Sequence, residues 1–120
     1  MSQINRRIVL LNGVTAIQQG NVVIDVPVPV SFIPWVKGTA GTVTATVNLY
    51  ASNDDSCRSS PLAQSASAAV LLATWSLSGT LQAVDTSGVV VATSYLYWWG
   101  TVSAISGTNA AVFLIGAAPV

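Results

Sequence analysis

The sequence predicts an all-β fold, an antiparallel β-sandwich of about eight strands of the immunoglobulin-like or jelly-roll kind. Three observations lead there. Val, Ile and Thr recur along all 120 residues, and β-branched side chains pack well on a pleated sheet. Turn signals come at intervals of roughly 8–12 residues, the spacing of an antiparallel sandwich or barrel. No stretch of helix length carries the 3.6-residue apolar period of an amphipathic helix. The chain reads as a single domain over 1–120. Residues 1–41 supply N-terminal strands and a proline-rich edge segment or arm, and residues 42–120 form the sandwich core.

Taken in order, 7–11 is a short apolar strand that the dipeptide Asn12-Gly13 ends, with 14–18 as a weak hairpin partner. Gly20-Asn21 turns the chain into a strand over 22–26. Pro27, Pro29 and Pro34 each lack a backbone donor, which places 26–34 at a sheet edge or in an unpaired extended run. Residues 35–37 and 42–50 are expected as hairpin partners across Gly38 and Gly41. The second of these has the clearest alternation in the chain: Val43, Ala45, Val47 and Leu49 face one way, and Thr42, Thr44, Thr46, Asn48 and Tyr50 the other. That is a half-buried strand with a polar outer face. Residues 52–67 form the longest irregular stretch, a loop or arm expected to be mobile. Strands follow over 72–77, 80–84 and 89–94, with turns at Ser78-Gly79 and 85–88. The chain closes on a hairpin, 95–104 with 110–115, around a turn at 106–109.

Charge is the compositional extreme. Only eight residues are charged, 7% of the chain, and the net charge is zero; ordinary domains carry about 25%. A neutral, charge-poor surface has little colloidal repulsion, so much of it is expected to be buried in an assembly. Four basic residues, only Arg6 and Arg7 adjacent, cannot neutralise a phosphate backbone, which argues against nucleic acid as a partner. The apolar runs fall short of the ~20 residues of a spanning helix, so no membrane partner is expected. Asn12-Gly13 interrupts the apolar run after Arg7 before a signal segment is complete. The lone Cys57 has no internal disulfide partner and is read as a free thiol, the alternative being an intermolecular disulfide or a redox role.

Catalytic chemistry lacks its usual residues. The chain has neither His nor Glu, so the commonest general acids and bases are absent. Asp54-Asp55 reads as a turn pair, and the four Asp residues match no calcium-loop spacing. One Cys without His makes no zinc site, and the serine-rich loop has no partner base. No cofactor and no enzyme activity are expected.

The aromatic residues are the stronger signal. Five of the nine (four Trp, three Tyr, two Phe) fall between residues 94 and 116. Along the strand, Tyr95, Tyr97 and Trp99 share one face and Leu96 and Trp98 the other. Trp and Tyr are enriched at protein interfaces, and the scarcity of charge nearby disfavours a sugar platform. The candidate contact residues are therefore Trp35, Tyr95, Tyr97, Trp98 and Trp99, with Pro27, Pro29 and Pro34.

Three segments together carry a resemblance. The strand 42–50 leads to Ala51-Ser-Asn-Asp-Asp55; Leu71-Leu-Ala-Thr-Trp-Ser-Leu-Ser-Gly-Thr80 follows; and Val102-Ser-Ala-Ile-Ser-Gly-Thr-Asn-Ala-Ala-Val112 closes the series. This resembles small β-sandwich structural proteins of tailed-bacteriophage virions over about residues 42–117. It departs from them at Asp55 and Asn109, where glycine is usual, and in an apparent insertion over 56–69. The resemblance implies a structural virion component: a capsid decoration (cement) protein, or a head, neck or tail accessory, made in the host cytoplasm. It also implies a symmetric homo-oligomer, trimer or dimer, bound to the major capsid protein or neighbouring virion proteins. The rival expectation is a virion- or tail-borne module that binds a host glycan or receptor.

Overall fold

The computed structural model describes residues 5–55, 68–85 and 87–120, and among them the fold is all-β and antiparallel. Eight strands follow in chain order: β1 (Asn5–Val14), β2 (Gln18–Gln19), β3 (Val23–Ile24), β4 (Val30–Ser52), β5 (Val70–Val84), β6 (Val89–Val91), β7 (Tyr97–Thr108) and β8 (Ala111–Pro119). No helix of the described residues is long and apolar enough to cross a membrane.

The 23-residue β4 organises everything else. On one flank its first part pairs with β8, from Ser31↔Ala117 to Lys37↔Ala111, and its second part with β7, from Ala40↔Thr108 to Ser52↔Tyr97. On the other flank it pairs with β6 at Val30↔Val91 and with β5 from Trp35↔Val84 to Ala51↔Val70. Two broken companions thus run the whole length of β4. To this three-ribbon sheet β1 adds along β8, and the short β2 and β3 add along β7.

The sheet is creased at residues 38–41, where the β4 register shifts against both neighbours. Glycine makes the crease possible. A Cβ on Gly38 would stand 2.8 Å from the Thr108 carbonyl oxygen, and Gly107, facing it, has φ +126°, a region L-residues avoid. Folding at the crease lays two layers on each other, with strands that pass from one to the other at a corner. The first layer holds the start of β4 with β6, β8 and β1. The second holds the end of β4 with β7, β2 and β3, and β5 spans the corner, its residues 82–84 beside the start of β4 and the rest beside its end. At Gly100 a Cβ would come within 3.0 Å of Leu11 and Leu114 of the opposite layer, so its bare backbone lets them in. The Cα envelope of 44 × 39 × 17 Å is that of two sheets packed about 10 Å apart.

Between the layers lie Leu10, Leu11, Val30, Phe32, Val36, Val47, Leu49, Trp98, Val102 and Leu114, all buried. Phe32 and Trp98 meet across the gap at 6.0 Å. The alternation over 42–50 is realised: Val43, Ala45, Val47 and Leu49 are in the core, and the Thr side chains face outward.

Several local expectations are corrected. The final hairpin does not form: β7 and β8 turn at Asn109, yet both lie along β4 and neither pairs with the other. Residues 35–37 and 42–50 are one strand rather than two. Asn12-Gly13 lies within β1, where a register shift between Asn12 and Val14 and φ +73° at Gly13 mark a bulge. The hairpin expected for 14–18 is absent; Gln18 and Gln19 pair with β7 instead. Ser78-Gly79 sits inside β5, whose 15 residues join the two strands expected there. Pro34 is in a central strand rather than at an edge. Its carbonyl accepts from Asp85 N, so its missing N–H faces the break between β5 and β6, where no ladder bond is required. Residues 5–41 are built into the sheet through β1 and β4. Of the loop expected over 52–67, residues 56–67, with Cys57, lie outside the described residues.

Candidate functional site

The first half of β4 carries apolar residues on both faces. Val30, Phe32, Pro34 and Val36 point inward and are buried, while Ser31, Ile33, Trp35 and Lys37 point outward. Register places Ile115 beside Ile33, and Phe113 and Val84 on the two sides of Trp35. Trp35 and Phe113 stack, with ring centroids 5.2 Å apart and 11° between planes. Ile33 and Val84 remain 40% and 51% exposed. This face is hollowed into a groove of about 680 Å³. Ile33, Trp35, Val84 and Ile115 line it together with Asn5, Arg7, Lys37 and Gln82. Contiguous exposed apolar surface is the kind that interaction sites use.

The second half of the same strand makes the contrast. There the outward residues are Thr42, Thr44, Thr46, Asn48 and Tyr50. Asn48 is tied to Thr74 on one neighbour and Thr101 on the other, and Tyr50 stacks on Trp99. That outer face satisfies itself, whereas the groove face does not.

The expected contact residues divide accordingly. Trp98 is wholly inside the main core, its Nε1 donating to the Tyr95 carbonyl at 3.0 Å, with the Tyr95 ring edge-on to it. Trp99 is equally buried in a second cluster with Tyr97, whose hydroxyl donates to Asp55. Both indoles lie within the protomer because each face of β7 is covered, one by the opposite layer and the other by Tyr50, Val22 and Ala69. Pro34 is buried, Tyr95 and Pro27 are half-buried, and Pro29 is exposed. Of the eight, Trp35 alone lines the groove.

Ile33, Val84, Phe113, Arg7 and Lys37 were not singled out by the sequence. The available signal was Val30–Lys37 itself, where Ile33 and Trp35 add apolar side chains on the parity opposite Val30, Phe32, Pro34 and Val36. Among the described residues no three His, Cys, Asp or Glu side chains gather, and no acid–base pair stands in the groove. Its chemistry is burial, aromatic stacking and cation pairing. Comparison with protein families, with characterised proteins and with solved structures gives no match, so the site rests on its own geometry.

Proposed function

We propose that this chain is a non-enzymatic structural protein of a phage virion, a decoration or accessory component that acts by burying its groove face against the major capsid protein or another neighbour. The observation that carries the reading is the unpaired apolar face around Trp35 on a chain with 7% charged residues. Surface of that kind is stable in water when covered. The test is composition of particles purified from infected cells. The chain is expected in them in fixed stoichiometry with the major capsid protein, and Ile33→Asp is expected to remove it from the particle while leaving the protein folded. Absence of the wild-type chain from purified particles sinks the proposal.

One observation favours a second reading, a glycan-binding module. Trp35, stacked on Phe113, lines a groove to which Asn5 and Gln82 also contribute, and aromatic faces with adjacent hydrogen-bonding groups suit sugar rings. Glycan-array hits lost in Trp35→Ala would move the assignment to this class.

A further inference from the structure

We propose that the groove receives an extended acidic segment of the protein that covers it, apolar in its middle and carrying a carboxylate at each end. The inference rests on the reading that a neighbouring protein covers this face, and it names the chemistry of that neighbour. It begins with two cations. Arg7 and Lys37 line the groove, and none of the four Asp residues does. Asp85, next in the chain to the lining residue Val84, turns its carboxylate to Gly88 N at 2.6 Å and to Ser87. Arg6 is turned to the Asp25 carbonyl, at 3.0 Å. Arg7 and Lys37 thus have no ion-pair partner among the described residues. A purely apolar cover would take water from both and leave them uncompensated, which is costly for a charge. A cover that brings carboxylates turns the same two groups into charge-assisted contacts.

Register sets the distance between the cations. Arg7 stands opposite Ala117 on β8, and Ala117 opposite Ser31 on β4. From the level of Ser31 to Lys37 is six residues along β4, about 20 Å of strand. Arg7 is also two strand spacings to the side, about 10 Å, a gap that its long side chain spans in part. Between the two levels come Ile33 beside Ile115, and Trp35 between Phe113 and Val84. An extended chain lying along β4 repeats the side chains of one face at the same two-residue pitch as the outward residues of β4. Its first and seventh residues then reach the Arg7 and Lys37 ends, while its third and fifth meet Ile33 and Trp35. Nucleic acid offers anions without that apolar middle, and two cations neutralise too few phosphates.

The probe is a capped synthetic peptide, Glu-Thr-Leu-Thr-Phe-Thr-Glu, whose Glu, Leu, Phe and Glu share one face when extended; its counterpart has Lys in place of both Glu. Each is titrated into the full chain and followed by tryptophan fluorescence, for which half-buried Trp35 is the reporter because Trp75, Trp98 and Trp99 are buried. The Glu peptide is expected to bind at least about tenfold more tightly than the Lys peptide, and more weakly as salt rises. Arg7→Glu/Lys37→Glu is expected to reverse that preference. Far-UV spectra check that the variant folds; if its sheet signal is lost, Lys37→Gln alone replaces it and is expected to narrow the preference. Equal binding of the two peptides overturns the proposal, as does binding of neither. Dodecanoate that binds more tightly than the Glu peptide overturns it in favour of a lipid ligand. Self-association of the chain that the Glu peptide leaves intact overturns it in favour of a second copy. Particle composition is read separately: a chain missing from particles sinks the virion reading and leaves the peptide result standing.

Discussion

Asn48 holds three strands together on the outer face of the second layer. Its amide nitrogen donates to Thr101 Oγ1 at 3.0 Å and Ser103 Oγ at 3.1 Å on β7, and its oxygen accepts from Thr74 on β5 at 2.9 Å. Truncation removes all three bonds and strands the buried Thr101 hydroxyl, so Asn48→Ala is expected to cost about 1–3 kcal/mol in urea unfolding. Gln19 is the opposite case. Neither end of its buried amide meets a partner among the described residues, and Gln19→Leu is expected to raise stability by about 1 kcal/mol. Trp98 and Trp35 separate core from surface by the same measurement. Trp98→Ala removes a fully buried indole between the layers and is expected to cost about 3–5 kcal/mol. Trp35→Ala should cost far less and weaken association instead. The sequence places both tryptophans in apolar strands. What decides between them is what lies over each strand, and the chain brings that cover from residues far away.

At the scale of the element, β4 explains which readings succeed. Its alternation over 42–50 is a local property of a strand with one wet face, and it is legible. The corner is less so. Gly38, Gly41, Gly79 and Gly107 look like hairpin punctuation, since a reversal and a crease both draw on backbone that a side chain forbids. Here Gly38, Gly41 and Gly79 bend long strands that continue beyond them, while Gly107 opens the turn from β7 into β8. The distinction lies in the partner strand, which single-chain periodicity does not reveal. Gly107→Ala would put a Cβ 2.8 Å from Val43 Cγ1 at φ +126°, and is expected to lower stability by about 1–3 kcal/mol, read as a drop in melting temperature. The same backbone devices protect β5, which among the described residues pairs on one side only. Leu81 at φ +66° breaks its ladder and blunts it as a template for stray strands.

For the whole molecule, composition foretells a protein short of charge but not where the charge goes. Arg7 and Lys37 are distant in sequence and share one groove because β8 carries both neighbours: Arg7 opposite Ala117, and Lys37 opposite Ala111. All-β architecture follows from local preference. The single creased sheet follows from pairings such as Asn5↔Pro119, which span nearly the full chain.

Those long-range pairings govern how the molecule comes into being. As the chain leaves the ribosome, β4 emerges with neither flanking companion yet made, and β1 waits for the last strand of all. No half can close early, because the one strand that forms the centre of both layers has no lining of its own. Residues 1–96, lacking β7 and β8, are accordingly expected to show no cooperative thermal transition and no sheet-type far-UV spectrum. Folding of the intact chain should fall in the millisecond-to-second range of domains built from distant contacts. Until then its central strand travels uncovered, and chaperone occupancy during synthesis becomes a direct consequence of placing that strand early in the chain.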